Sequence, residues 1–237
     1  MRPLRTLLAI VALQAGAALA EDGGGWEVIA TGAITVKARP RPGTSIKELW
    51  AEGEMGAPVQ DIQSALMDPE HFTQFMPYVK EARFLGKPEA DGSRWVYTRL
   101  NLPMVDPRDY VLRVWLDEGV APDGSGTFRN HWVASGDKIP SRHNVVRLKV
   151  NEGSWNVSAR PGGKSWGVYK FAVDPGGWIP AFAADFGNKS GVTDTFSAVE
   201  KEGRRRAAER AKAPPPVPAG VTPTGPAPSL APQATKP

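Results

Sequence analysis

Seven strand-like segments follow one another at 82–87, 93–101, 109–117, 127–134, 145–150, 154–159 and 164–173, and the series stops at Asp174-Pro175-Gly176-Gly177. A helical rhythm then runs from Pro180 to about Arg206. Strands in series closed by one long amphipathic helix predict an α+β fold, with that helix laid against an antiparallel sheet. The connections carry turn chemistry at Ala90-Asp91-Gly92, Pro122-Asp123-Gly124 and Pro161-Gly162-Gly163. The break at 174–177 must reverse the chain. Glycine supplies positive φ without a steric penalty, Pro175 fixes the approach, and Pro180 starts a helix where its missing N–H does no harm.

Upstream, Ile34-Thr35-Val36 reads as a short strand closed by Arg39-Pro40-Arg41-Pro42-Gly43, and Ile46 to Met55 reads as a second strand. Ala57-Pro58 opens a helix with Val59, Ile62, Leu66 and Met67 at helical spacing. Asp68-Pro69 starts another short helix, with Phe72, Phe75 and Met76 as its apolar stripe, and Pro77 stops it. No repeat is visible, and residues 21–210 read as one domain.

The two ends differ from this body. Arg2 and Arg5 precede an apolar run that ends at Ala18-Leu19-Ala20, the layout of a cleaved secretory signal, with cleavage after Ala20. An uncleaved anchor is the alternative, although the run is short for a bilayer. The expected location is periplasmic or secreted. Residues 211–237 hold nine prolines with no aromatic and no acid, and are expected to be disordered. Without those ends the net charge of +4 vanishes, because residues 21–210 carry 25 basic and 25 acidic groups. Such a body lacks the footprint of a nucleic-acid binder. The basic cluster Arg204-Arg205-Arg206 with Arg210 is local: a solvated helix end, or a contact for anionic lipid. With no cysteine, no disulfide framework supports the fold.

Catalytic and metal signatures are missing. ARPGGKS at 159–165 ends like a phosphate loop, but Ser158 stands where the first glycine belongs and a hairpin replaces the strand-to-helix turn. His71, His131 and His143 have no paired-ligand spacing, so neither a metal nor a cofactor is expected. No nucleophile stands beside a base. The odds shift toward binding.

Three segments together resemble the START lipid-transfer family, within the superfamily that also holds polyketide cyclases. DPEHFTQFMPYVKEARFL (68–85) is similar to its helices running into the sheet, and DPRDYVLRVWL (106–116) to its strand entry. VVRLKVNEGSW (145–155) with DPGGWIPAF (174–182) resembles its last strands, Gly-Gly-x-Ile-Pro break and closing helix. The resemblance spans about residues 26–203. It implies a helix-grip fold, a curved antiparallel sheet wrapped around the terminal helix with an apolar tunnel between them.

Candidate ligand-binding residues follow from that implication. Phe182, Phe186, Thr193 and Phe196 form one helical stripe. Ala183, Gly187, Ser190, Gly191 and Asp194 form the next, where Gly187 and Gly191 either leave room for a guest or allow close backbone approach. Phospholipid-carrying relatives place Arg and Asp where Phe72 and Met76 stand here, which points to a weakly charged ligand of sterol, isoprenoid or fatty-acyl type. Phe75 shares their stripe. Tyr110, Leu112, Val114 and Leu116 share one strand face, and the family's arrangement puts it on the tunnel. On the preceding strand the tunnel set would be Trp95, Tyr97, Arg99 and Asn101, with Arg99 as a polar anchor assisted by His131. A solvent-facing Arg99 is the alternative. Met104 and Val105, on the loop that meets the terminal helix, are gate or membrane-touching candidates. The expected function is binding of a hydrophobic molecule and its movement between membranes by a monomer. The rivals are a cyclase using the same tunnel and a scaffold whose tunnel is collapsed.

Overall fold

The computed structural model describes residues 25–136, 138–177 and 190–213. The expected signal, the proline-rich tail from 214, and the segment 178–189 where the closing helix is expected to start, with Phe182, Phe186 and Gly187, lie outside the described residues.

Ten strands form one curved, almost wholly antiparallel sheet: β1 (Glu27–Ala30), β2 (Ile34–Pro40), β3 (Lys47–Met55), β4 (Val79–Phe84), β5 (Arg94–Leu100), β6 (Arg108–Glu118), β7 (Thr127–Ala134), β8 (Val146–Arg147), β9 (Asn151–Arg160) and β10 (Lys164–Val173). Their order is β1-β2-β3-β10-β9-β7-β6-β5-β4, and β8 pairs with β6 in parallel. The pairing of β3 with β10 joins the first strands of the chain to the last, so helices and sheet enclose one another. Between β3 and β4 lie α1 (Val59–Leu66), a 3-10 turn (Pro69–His71) and α2 (Phe72–Phe75); α3 (Gly191–Lys212) closes the fold. This is the expected α+β helix-grip arrangement.

One expected strand is shorter than its sequence implies. Of residues 145–150 only Val146 and Arg147 pair, because the Val146 and Leu148 amides donate to the Pro107 and Asp109 carbonyls and the chain then crosses over to begin β9. β1 carries no sequence signal that was read as a strand.

Val192, Phe196 and Val199 of α3 recur at helical spacing and are buried against Val36, Ala51, Met55, Phe128 and Val157. Gly167 on β10 makes this approach possible: a Cβ there would lie 2.8 Å from Met55 Sδ and 3.0 Å from Phe196 Cζ. The far half of α3 is clamped to α1. Buried Glu202 pairs with Arg205 and Arg206, Arg206 reaches Asp68 at 2.8 Å, and Arg210 reaches buried Asp61 at 2.7 Å. Of the arginine cluster, read from sequence as a solvated helix end or a lipid contact, Arg204, Arg205 and Arg210 are exposed as a solvated helix end requires, while Arg206 and Arg210 also reach across to Asp68 and Asp61. The cluster's charges are spent on the chain's own carboxylates.

Candidate functional site: an apolar cavity under the closing helix

The register of β5 and β6 decides what faces inward. Tyr110 sits opposite Thr98, Leu112 opposite Val96, Val114 opposite Arg94, and Arg108 opposite Leu100. Residues directly opposed across an antiparallel pair share a face. That face, with its continuation across β7, β9 and β10, bounds a cavity of about 600 Å³. The volume falls within the ~300–1,000 Å³ typical of small-molecule sites.

Trp132, Trp155, Tyr169 and Phe171 form an aromatic wall. Trp155 stacks on Tyr169 at 4.3 Å between ring centroids, and Tyr169 stacks on Phe171 at 4.6 Å. Phe72, Met76 and Val79 close the cavity from the α2 side, while Gly191, Val192 and Thr195 close it from α3. Several polar groups on this lining are engaged. Asn130 accepts from the Trp155 amide at 3.1 Å, Asn151 accepts from Trp132 Nε1 at 3.0 Å, and Thr195 donates to the Gly191 carbonyl. Burial pushes the Tyr110 hydroxyl up to about 12 and the Tyr169 hydroxyl higher still, so both phenols stay protonated at neutral pH. Two arginines also line the cavity. Arg108 is 2% exposed and donates a hydrogen bond to the Asp106 carbonyl; burial lowers its affinity for the proton, which the Asp106 carboxylate partly restores. Arg94 lies with its guanidinium 3.4 Å above the Phe84 ring.

Phe72, Met76, Tyr110, Leu112 and Val114 lie on this lining, as the sequence reading places them. Phe75 does not; it packs edge-on against Phe72 at 5.7 Å and against the core. Tyr97 and Arg99 are corrected outright. They sit opposite Val111 and Asp109, on the face turned away from the cavity. Tyr97 is fully buried there and donates to Asp109, and Arg99 pairs with Glu81. A strap made by residues 138–147 covers that face. Arg147 holds it, donating to the carbonyls of Gly136, Ile139 and Pro140 and bidentately to Asp109. Once the strap buries them, aromatic residues on the outer face are no longer exceptional, and the family-based choice of face was one residue out. His131 also faces outward, stacked 4.7 Å from Trp115 with Nδ1 2.8 Å from the Asp117 carboxylate. Met104 is 74% exposed with φ 60°, off the cavity, although Leu102 on the same loop lines it.

Arg94, Arg108 and the aromatic wall were missed. The wall had a readable signal. The hairpin at Pro161-Gly162-Gly163 pairs Arg160 with Lys164, and counting back along it sets Trp155 against Tyr169.

No family profile matches the sequence. An uncharacterized protein of Pseudomonas aeruginosa is 27% identical over 184 residues, covering 77% of this chain and 87% of the relative. Among solved structures, a StAR-related lipid transfer protein from Xanthomonas axonopodis superposes with TM-score 0.65 at 24% identity, over 76% of this chain and 99% of that one. Human StAR-related lipid transfer protein 5 gives 0.66 at 17% identity, over 79% and 90%. The Zhui aromatase/cyclase from a Streptomyces species gives 0.50 at 12% identity, over 68% and 96%. Curved sheet and closing helix agree with these neighbours: the chain has the helix-grip fold of the START lipid-transfer domains.

Proposed function

We propose that this protein binds a hydrophobic, weakly charged lipid-like molecule in the cavity beneath α3 and carries it between membranes after export. The observation that carries the reading is the cavity itself: about 600 Å³ bounded by aromatic and aliphatic side chains, which a collapsed scaffold would have filled. Burying ~300 Å² of apolar ligand there contributes on the order of 7 kcal/mol before ordering costs. Among the described residues no helix is long and apolar enough to cross a membrane, and the membrane contact in this reading is transient by proposal. The 101–107 loop suits that contact, with Met104 in water at its tip and Leu102 on the cavity lining.

The cyclase reading rests on the aromatase/cyclase neighbour. Against it, none of the three histidines lies on the cavity lining, and burial raises all three phenols there, Tyr78, Tyr110 and Tyr169, which disfavours them as bases near neutral pH. Native mass spectrometry of protein purified from its own host tests the proposal. A co-purifying lipid supports carriage; a uniformly empty protein that also fails to take up lipid from vesicles refutes it.

A further inference from the structure

Twelve arginines of the described residues pair with a carboxylate of the chain. Arg94 does not. It makes no ion pair or hydrogen bond with the described residues, and its Nε is buried without a partner. Arg160 likewise has no carboxylate, but it stands exposed on the β9–β10 hairpin. Arg94 is different because it is part-buried on the wall of an apolar cavity, its guanidinium flat against Phe84 and its strand neighbours on that face Val96 and, across the pair, Val114. A guanidinium in such a place loses hydration, and without an anion only the Phe84 ring face offsets part of that loss.

The rest of the lining points the same way. Its charged residues are Lys47, Arg94, Arg108 and a single acid, Asp174, whose Oδ1 accepts the Gly176 amide at the rim. Arg108 is six positions before Val114 on β6, which places it about 20 Å along the strand from the Arg94 station, at ~3.3 Å per residue. Between the two stations the facing side chains are Thr98, Tyr110, Val96 and Leu112.

We propose that the cavity takes a single-tailed amphiphile with an anionic head, a carboxylate or a phosphate, and that Arg94 receives that head. This rests on the carrier reading but gives its ligand a charged head where that reading has a weakly charged one. The planar guanidinium presents two parallel N–H groups that match either head bidentately. The tail then lies along the aromatic wall at Trp132, Trp155 and Tyr169.

The test is fluorescence titration of the wild-type protein, whose Trp132 and Trp155 line the cavity, with hexadecanoate, dodecyl phosphate and hexadecan-1-ol. Expected is about ten-fold or tighter binding of at least one anionic probe over the alcohol. A preference confined to hexadecanoate identifies a fatty carboxylate, and one confined to dodecyl phosphate identifies a phosphate head. Arg94→Met then reduces the anionic probe to the level of the alcohol while leaving the alcohol unchanged, Arg94→Lys retains part of the preference, and Arg160→Met retains all of it. Equal binding of acids and alcohol by wild type overturns the proposal without any variant, as does a preference that survives in folded Arg94→Met. If hexadecan-1-ol binds and the anions do not, the carrier reading stands and the anionic head falls; if no probe binds, both fall.

Discussion

Gly203 lies inside α3, where glycine costs a helix about 1 kcal/mol relative to alanine. A helix facing water would therefore gain from Gly203→Ala. Here the packing predicts the opposite sign. A Cβ on Gly203 would stand 2.4 Å from Ile62 Cδ1, 3.1 Å from Ala57 Cβ and 3.3 Å from Ile62 Cγ1. The Ile62 tip could rotate away at a surface, but Ile62 and Ala57 are both fully buried, and Ala57 has no rotamer to give. Overpacking of this kind costs roughly 1–3 kcal/mol. With a mid-range cost of about 2 and a propensity gain of about 1, the net is a loss of about 1 kcal/mol, or about 2–4 °C in Tm. Ile62→Val removes the atom that clashes and by itself costs about 0.5–1.5 kcal/mol. The double variant is therefore more stable than the two single losses summed, by on the order of 1 kcal/mol. Urea unfolding of the wild type, both single variants and the pair measures this. A stabilised Gly203→Ala, or strict additivity in the cycle, would refute the close α1–α3 contact that anchors the closing helix.

Other consequences can be checked alongside. Arg147→Met leaves fully buried Asp109 without its bidentate partner and is expected to cost about 3–5 kcal/mol in chemical denaturation, releasing the 138–147 strap to amide exchange. The Arg205 and Arg206 guanidiniums hold the Glu202 carboxyl below its usual range, so its contribution to stability is full above pH about 4.5 and is lost as pH falls through the lower folded value; Glu202→Gln flattens the acid limb of the stability–pH profile. Met104→Asp leaves thermal stability within about 0.5 kcal/mol, since the side chain stands in water, yet slows lipid transfer between vesicles if the loop docks on a membrane.

How far the sequence reached is clearest in the strands. Turn residues and period-2 patterning placed 127–134 and 164–173 at the observed limits, and the Asp174–Gly177 break before the closing helix was visible in its glycines, both with positive φ at 176 and 177. Face assignment was harder. On β6 one face is uniformly apolar from Tyr110 to Leu116, so Tyr110, Leu112 and Val114 could be placed on the cavity. On β5 both faces mix bulky and polar groups, and alternation alone cannot say whether Trp95-Tyr97-Arg99 or Val96-Thr98-Leu100 faces inward. Only the register with β6 decides it, and register depends on the length of the 101–107 loop, which the residue pattern does not fix. The buried Tyr97–Asp109–Arg147 network behind the strap is equally invisible in sequence, because its members come from three segments up to 50 positions apart.

The location of the guest can be measured directly by photolabelling with a long-chain acid that carries a diazirine along its tail, followed by peptide mapping. The account predicts labels on the inward set, at Leu112, Val114, Trp132, Tyr169 or Phe171, and their loss when unlabelled acid is added in excess. Saturable labels confined to the outward set, at Trp50, Trp115 or His131, would contradict it.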